Sequence, residues 1–313
     1  QIEKYAEILS VDGIPVETYL KDSVYPYISA GTEHYLKYAG CIELLRGRKN
    51  SLVELEIEES NGQRRKVSLK RNLIDLPLQK QPMVFMELPT FPWKLKTIMH
   101  RELGEGLHYV AINTMADSNL PELFDKLLDS ISPIKGLIID VRLNHGGNSA
   151  NGDRVIERLI NERIPNIKSK TAAYRPSERA WKKETFGKNW HEYDMTYLEP
   201  RGEFQFNGPV VVLTSPYTWS AAENFVVPLA AAKRIKLVGQ PTGGSTGQPL
   251  FIRLVGGMAM GICSVRREFP NGTEFVGYGV PPDVYIEPNL NELRDGRDNM
   301  LLKGIEVLKS MIH

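Results

Sequence analysis

An α/β fold preceded by a small β-rich module is predicted by three observations. From Leu107 onward, apolar runs alternate with stretches of helical pattern. Two of those runs, Lys135–Arg142 and Pro209–Leu213, pass through a short turn straight into such a stretch, as buried strands of a sheet do. Upstream, Ser51–Glu58 alternates apolar with acidic residues, and Asn61-Gly62 turns the chain tightly into Arg65–Lys70, a hairpin with one wet face.

Taken in order, residues 1–72 form the β-rich module. Glu7–Val16 reads as a strand and turn, and Tyr19–Tyr27 and Glu33–Leu45 read as helical. Residues 73–103 form a connector, because Pro77, Pro82, Pro89 and Pro92 exclude a long helix. The core occupies 104–313. Leu107–Ile112 is its first strand, Leu120–Ile131 its first helix, and Asp153–Ile160 the helix after the strand Lys135–Arg142. An insertion at 174–202 carries Trp181, Phe186, Trp190, Tyr193 and Tyr197, and either covers a site or packs on the core.

Composition narrows the class. A chain of 313 residues is long enough for two or three domains with a large core. Hydrophobic and charged fractions of 42% and 25% are those of a globular protein. With 39 basic against 38 acidic residues, nothing attracts a nucleic acid; Arg64–Lys66 and Arg266-Arg267 read as solvated strand faces. No apolar run reaches the ~18 residues of a membrane helix. Cys41 and Cys263 lack metal spacing and read as buried small hydrophobes, so neither a metal nor a disulfide is expected.

The chemistry-bearing segments lie where strands hand over to helices. Ser220, in Thr214–Glu223, follows the run Pro209–Leu213 and precedes a helix. A serine there either caps the helix or acts as a nucleophile whose oxyanion is held by free backbone N–H groups. In the second handover, Leu143–Ser149, paired Gly146 and Gly147 let the backbone turn sharply and present N–H groups without Cβ interference. Together the two turns predict an oxyanion hole built from Gly147 or Gly146 and from Ala221.

Four ordered motifs, Asp140–Gly147, Thr218–Glu223, Val238–Gly244 and Gly277–Asp283, give the chain a family resemblance across roughly residues 105–288. It resembles the serine peptidases of the tail-specific (C-terminal-processing) and tricorn-like family. The resemblance implies a Clp protease/crotonase-like core of strand–strand–helix units. It also implies a PDZ-like first module that binds peptide by strand addition, an acyl-enzyme on Ser220, a peptide or unfolded-protein substrate, no cofactor and an extracytoplasmic location. Tail-specific members activate serine with a lysine, and Ser245 stands in its place here. Tricorn-like members use a histidine upstream of the PDZ domain, so the base is expected on a segment before Gln1, the chain reading as a trimmed product. His145 in the glycine loop is the local alternative; Ser245 and Gln248 are expected to line the pocket, and Glu274 to orient a base or to lie on a surface strand. His191, in the insertion, reads as a surface or packing residue in preference to a catalytic one, and His34, His100, His108 and His313 have no catalytic context. Two other readings stay open: a non-catalytic ligand- or peptide-binding member of the family, and acyl transfer of the crotonase kind.

Overall fold

The computed structural model describes residues 2–71, 96–181, 189–202, 205–257 and 259–312. Pro77, Pro82, Pro89, Pro92, Phe186 and His313 lie outside them. The chain divides into two compact units, Gln1–Lys96 with Ile286–Lys303, and Thr97–Tyr285 with Gly304–His313.

In the first unit, β1 (Glu7–Val11), β2 (Ile14–Pro15), β3 (Leu52–Glu58) and β4 (Arg64–Lys70) form an antiparallel sheet of order β2-β1-β3-β4. The alternation in β3 does what a period of two requires: Val53, Leu55 and Ile57 are buried against Val11, Leu20, Val24 and Leu44. The intervening acids pair with β4, Glu58 to Arg64 at 2.6 Å and Glu54 to Lys66 at 2.8 Å. Helix α2 (Glu33–Glu43) starts where the Thr32 hydroxyl accepts the Tyr35 N–H. The helix expected at Tyr19–Tyr27 is broken instead into α1 (Val16–Tyr19), a π turn at Leu20–Val24 and a 3-10 turn at Tyr25–Tyr27, where Pro26 cannot donate to the ladder.

The second unit is built on a six-stranded sheet. Its strands are β5 (Ile98–Gly104), β6 (Leu107–Ile112), β7 (Gly136–Asp140), β12 (Val210–Thr214), β13 (Lys236–Gly239) and β17 (Val284–Tyr285), in the order β17-β13-β12-β7-β6-β5. Only β5 runs antiparallel to its neighbour. It occupies the end of the expected connector, so the core sheet begins before residue 104. β6, β7 and β12 are buried throughout, hence their near-continuous apolar runs. One face, with Leu137, Ile139, Val210 and Val212, packs on α3 (Leu120–Ser130), α4 (Ser149–Ile156) and α6 (Ala221–Ala231) through Phe124, Val155 and Phe225. The other face takes the end of α8 (Asn299–Ser310): Gly304 has no room for a Cβ beside Leu213, 2.9 Å away.

Helix α4 starts four residues earlier than the sequence pattern predicts, because the Asn148 side chain accepts the Ala150 N–H and opens the helix inside the expected loop. Small sheets flank the core: β11 (Tyr197–Leu198) on β8 (Ile164–Pro165), β10 (Trp190–Glu192) with β9 (Lys168–Ala172) and β16 (Val265–Glu268), and the hairpin β14 (Pro249–Arg253) with β15 (Ala259–Cys263). Short helices α5 (Pro176–Ala180) and α7 (Leu290–Arg294) complete the elements. In the insertion, Trp181, Tyr193 and Tyr197 are exposed, and Arg163 lies over the Tyr197 ring at 3.9 Å. Two expectations are corrected. Cys41 and Cys263 are both exposed. Arg267 is half-buried and bonded to the Ser169 hydroxyl, and burial lowers its pKa; its neighbour Arg266 is also half-buried and paired with Glu274.

At the end of β7 lies a buried ion pair. Arg142, with no exposed surface, donates from Nη2 to Asp140 at 2.7 Å and from Nε at 3.0 Å, and the Tyr109 hydroxyl donates to the same carboxylate at 2.8 Å. Removing one charge strands the other in a dry site. Arg142→Met is therefore expected to cost about 3–5 kcal/mol of unfolding free energy in urea melts, with part of it recovered in the Asp140→Asn, Arg142→Met double variant. A single-variant loss below about 1 kcal/mol would show the carboxylate to be solvated instead.

Candidate active site

Parallel strands place their carboxyl ends at one edge of a sheet, and that is where the three motif loops meet. The loop after β7 and the turn after β12 are sewn together: the Ser215 hydroxyl donates to the Arg142 carbonyl at 2.7 Å, the Thr218 hydroxyl to Val141 at 2.9 Å, and the Trp219 N–H to Asn144 at 3.1 Å. The loop after β13 joins them through the Gly243 N–H on the Thr218 carbonyl at 2.9 Å. The Gly277–Val280 turn closes over that loop, with the Gly277 N–H on Gly244 at 2.7 Å and the Val280 N–H on the Thr242 hydroxyl at 2.7 Å.

Ser220 sits at the centre of this arrangement, at the first turn of α6, with φ 55° and ψ −122°. Few residues other than glycine adopt such angles, and they persist only where surrounding bonds impose them. One such bond runs from the Ser220 N–H to the Ser245 carbonyl at 3.0 Å. The hydroxyl does not cap the helix, which sets aside the capping role. Gly146 is packed against this turn so closely that a Cβ on it would lie 2.6 Å from Ser220 Cβ, and its φ of +96° disfavours a side chain anyway.

The backbone donors sort themselves. The Gly146 N–H is taken by Asn144 Oδ1 at 2.9 Å. Gly147 pairs with Met115 in a parallel bridge whose two bonds use the Gly146 carbonyl and the Asn148 N–H, which leaves Gly147's own N–H outside the bridge. Ala221 is the first residue of α6, among the helix positions whose N–H groups have no intrahelical acceptor. Of the two alternatives at the glycine pair, Gly147 is therefore the one with a donor to give.

Behind the turn lies a group the sequence reading passed over. Glu223 is fully buried, yet its carboxylate accepts the Thr242 hydroxyl at 2.6 Å, the Gly244 N–H at 2.7 Å and the Ser245 N–H at 2.9 Å. Burial outweighs those donors and pushes its pKa up to about 7. Asn224, the next residue, donates to the Ser149 hydroxyl at 2.7 Å and accepts from Thr246 at 3.2 Å, so one helical turn holds both flanking loops. The signal was present: an acid inside a mostly apolar, buried helix, three residues after a serine.

The remaining candidates separate. Ser245 lies in the site through its backbone, bonded to both Ser220 and Glu223. Gln248 is exposed with φ 49°, at the foot of the β14–β15 hairpin. Glu274 is exposed, bridges Glu268 and pairs with Arg266 at 2.6 Å, the surface-strand reading. The His145 ring stands against Trp219 at 4.5 Å and Tyr217 at 4.9 Å; its buried Nε2 has no hydrogen-bond partner, and burial lowers its pKa. His108 Nδ1 and His100 Nε2 lie 3.0 Å apart across β5–β6, and His191 is exposed on β10. No cluster of three metal-ligating side chains occurs among the described residues.

A family model described as "Peptidase family S41" matches residues 106–286. A carboxy-terminal-processing protease of Bartonella bacilliformis is 24% identical over 210 residues, covering 66% of this chain and 44% of that protein. The tricorn protease of Thermoplasma acidophilum is 26% identical over 212 residues, covering 67% and 17%. The chain thus spans less than half the length of these curated relatives. Among solved structures, mature CPAF superimposes with a TM-score of 0.74 at 16% identity, covering 99% of this chain and 77% of that one. A putative peptidase from Parabacteroides merdae gives 0.59 at 24% identity, covering 68% and 64%. These likenesses show a shared fold.

The raised pKa of Glu223 has a signed consequence. Its folded value, about 7, lies above the unfolded 4.5, so its contribution to stability is complete below about pH 4.5 and is lost as pH rises through about 7. The unfolding free energy of the wild type is expected to fall relative to Glu223→Gln by on the order of 3 kcal/mol between pH 4.5 and 8. Asp153, raised to about 6 by burial, titrates in both proteins and drops out of the difference. A pH-independent difference would mean that Glu223 keeps an ordinary carboxylate pKa.

Proposed function

The chain belongs to peptidase family S41, and we propose that it is a serine peptidase acting through an acyl-enzyme on Ser220. The backbone of Ser220 carries this reading: φ 55° and ψ −122° at a helix start, with no capping bond to occupy the hydroxyl. In this reading Ser220 Oγ attacks the scissile carbonyl carbon, and the oxyanion settles between the N–H groups of Gly147 and Ala221, each typically worth ~3–4 kcal/mol. The C–N bond then breaks as the amine leaves with a proton, and water releases the acyl group.

Among the described residues Ser220 Oγ has no hydrogen-bonded base. The His145 Nε2 has no hydrogen-bond partner and its ring is held against Tyr217 and Trp219, so the base is assigned to a group outside the described residues. That same observation favours the second reading, a binding protein that retains the fold without the chemistry. No helix among the described residues is long and apolar enough to cross a membrane. An extracytoplasmic site of action goes with the proposed activity, and cell fractionation checks it.

A fluorophosphonate probe separates the two readings. Labelling is expected in the wild type and absent in Ser220→Ala, with melting temperatures within a few degrees. Gly146→Ala is expected to lower the labelling rate at least 100-fold, because the new Cβ presses on Ser220 Cβ. A wild type that binds unfolded polypeptide but never labels supports the binding protein. Labelling that survives in Ser220→Ala places the nucleophile elsewhere.

We infer a second role for the first unit, whose β2-β1-β3-β4 sheet leaves strand edges for an incoming peptide: capture of a free C-terminus by strand addition. A peptide with a free apolar C-terminus is expected to bind at least tenfold more tightly than its amidated twin in a fluorescence titration. Equal affinities would leave that unit a structural role only.

A further inference from the structure

On the second unit, the β14–β15 hairpin is largely apolar and exposed along both strands. All ten of its strand residues are exposed. The register places Leu250 opposite Ile262 and Ile252 opposite Met260, so one face is a continuous aliphatic strip. Those four side chains keep 59%, 46%, 37% and 41% of their surface open to water. The opposite face is broken: Phe251 lies over Gly261, and Arg253 carries the only charge on either strand. No third strand joins the pair among the described residues, so both outer edges present unpaired backbone groups. A lone two-stranded ribbon with a wet aliphatic face is marginal in water, and an open edge is a template for another extended chain.

Position says which chain. β14 begins four residues after Ser245, the residue whose carbonyl holds the Ser220 N–H. Four residues reach at most about 14 Å, and five strand residues extend about 17 Å further. The foot of the ribbon is tied down there: the Ser264 and Val265 N–H groups both donate to the Gly247 carbonyl at 3.0 Å, and the Ser264 hydroxyl donates to Gln248 at 2.6 Å. The strip therefore runs outward from the nucleophile's own supporting loop.

We propose that the β14–β15 ribbon is a docking strip for the extended, apolar stretch of the polypeptide on which Ser220 acts. The occupant lies along the open edge of the ribbon, its backbone pairing with the strand and its apolar side chains resting on Leu250, Ile252, Met260 and Ile262. This assignment rests on the serine-peptidase reading for the identity of the ligand, and on the ribbon alone for its chemistry. It adds a substrate class to that reading: unfolded, aliphatic-rich segments at least five residues longer than the bonds flanking the scissile one.

The test is a binding measurement in the Ser220→Ala protein, where no turnover intervenes. Fluorescein-labelled β-casein, an unfolded apolar-rich polypeptide, is titrated into Ser220→Ala and into Ser220→Ala carrying Leu250→Glu and Ile252→Glu. The affinity is expected to fall at least tenfold, with an unchanged melting temperature because both positions are exposed. Leu250→Met with Ile252→Val, which keeps the strip aliphatic, is expected to restore it. Equal affinity in all three proteins overturns the proposal. So does a shift in sedimentation from a larger to a smaller species on the glutamate substitutions, which makes a second copy of the chain the occupant. Fluorophosphonate labelling of the wild type is scored separately: absent labelling with strip-dependent binding defeats the peptidase reading and leaves the strip standing.

Discussion

A carboxylate enclosed by protein and met by three donors is a demanding thing to build, and Glu223 imposes that demand on everything near it. The Thr242 hydroxyl and the Gly244 and Ser245 N–H groups converge on it, so the loop after β13 has little freedom in its path. Ser245 in turn presents its carbonyl to the Ser220 N–H, and that bond helps hold the strained turn. Thr242 passes the constraint on to Val280, drawing in the Gly277–Val280 turn. Loss of any one donor weakens the hold on the charged form and pushes this already raised acid further toward its protonated state, loosening the loop.

Much of the framework was legible because the residues involved answer to one local rule. Gly136–Asp140 and Val210–Thr214 are buried on both faces and therefore apolar up to their last residues, and the turns that follow them mark the sheet edge. Thr32 and the alternation in Leu52–Glu58 are equally local. The failures have two causes. Some were local rules left unapplied: the Gly146 N–H goes to the Asn144 side chain two residues away, and Asn148 caps α4 at Ser149. Others depended on neighbours distant in sequence. Cys41, Cys263 and the β14–β15 strands have apolar composition yet face water, since composition does not say whether anything lies against a segment.

Glu223 is the most instructive omission. A serine followed three residues later by glutamate is the sequence form of a capping box, in which the serine side chain bonds the helix and the glutamate reaches back. Here the serine half is absent, and the glutamate is held chiefly by Thr242, Gly244 and Ser245 of another loop, with the Ser220 N–H a lesser partner. The pattern was visible, but its ordinary meaning pointed away from the function. What distinguishes it is the company it keeps: Ala221 to Leu229 are all buried, so an ionisable member cannot be a surface choice.

The glycine pair carries a different lesson. A Cβ on Gly147 would fall 2.2 Å from the Ala116 nitrogen, a backbone collision, and one on Gly146 would strike the turn at Ser220. Both residues are thus demanded by how the chain passes itself, before any reaction is considered. A descendant that had lost its chemistry and kept its shape would still need them, and so would one recruited only to hold peptides. In a survey of sequences sharing this architecture, the paired glycines would report ancestry and geometry, whereas the hydroxyl at position 220 would report whether the proposed chemistry is retained.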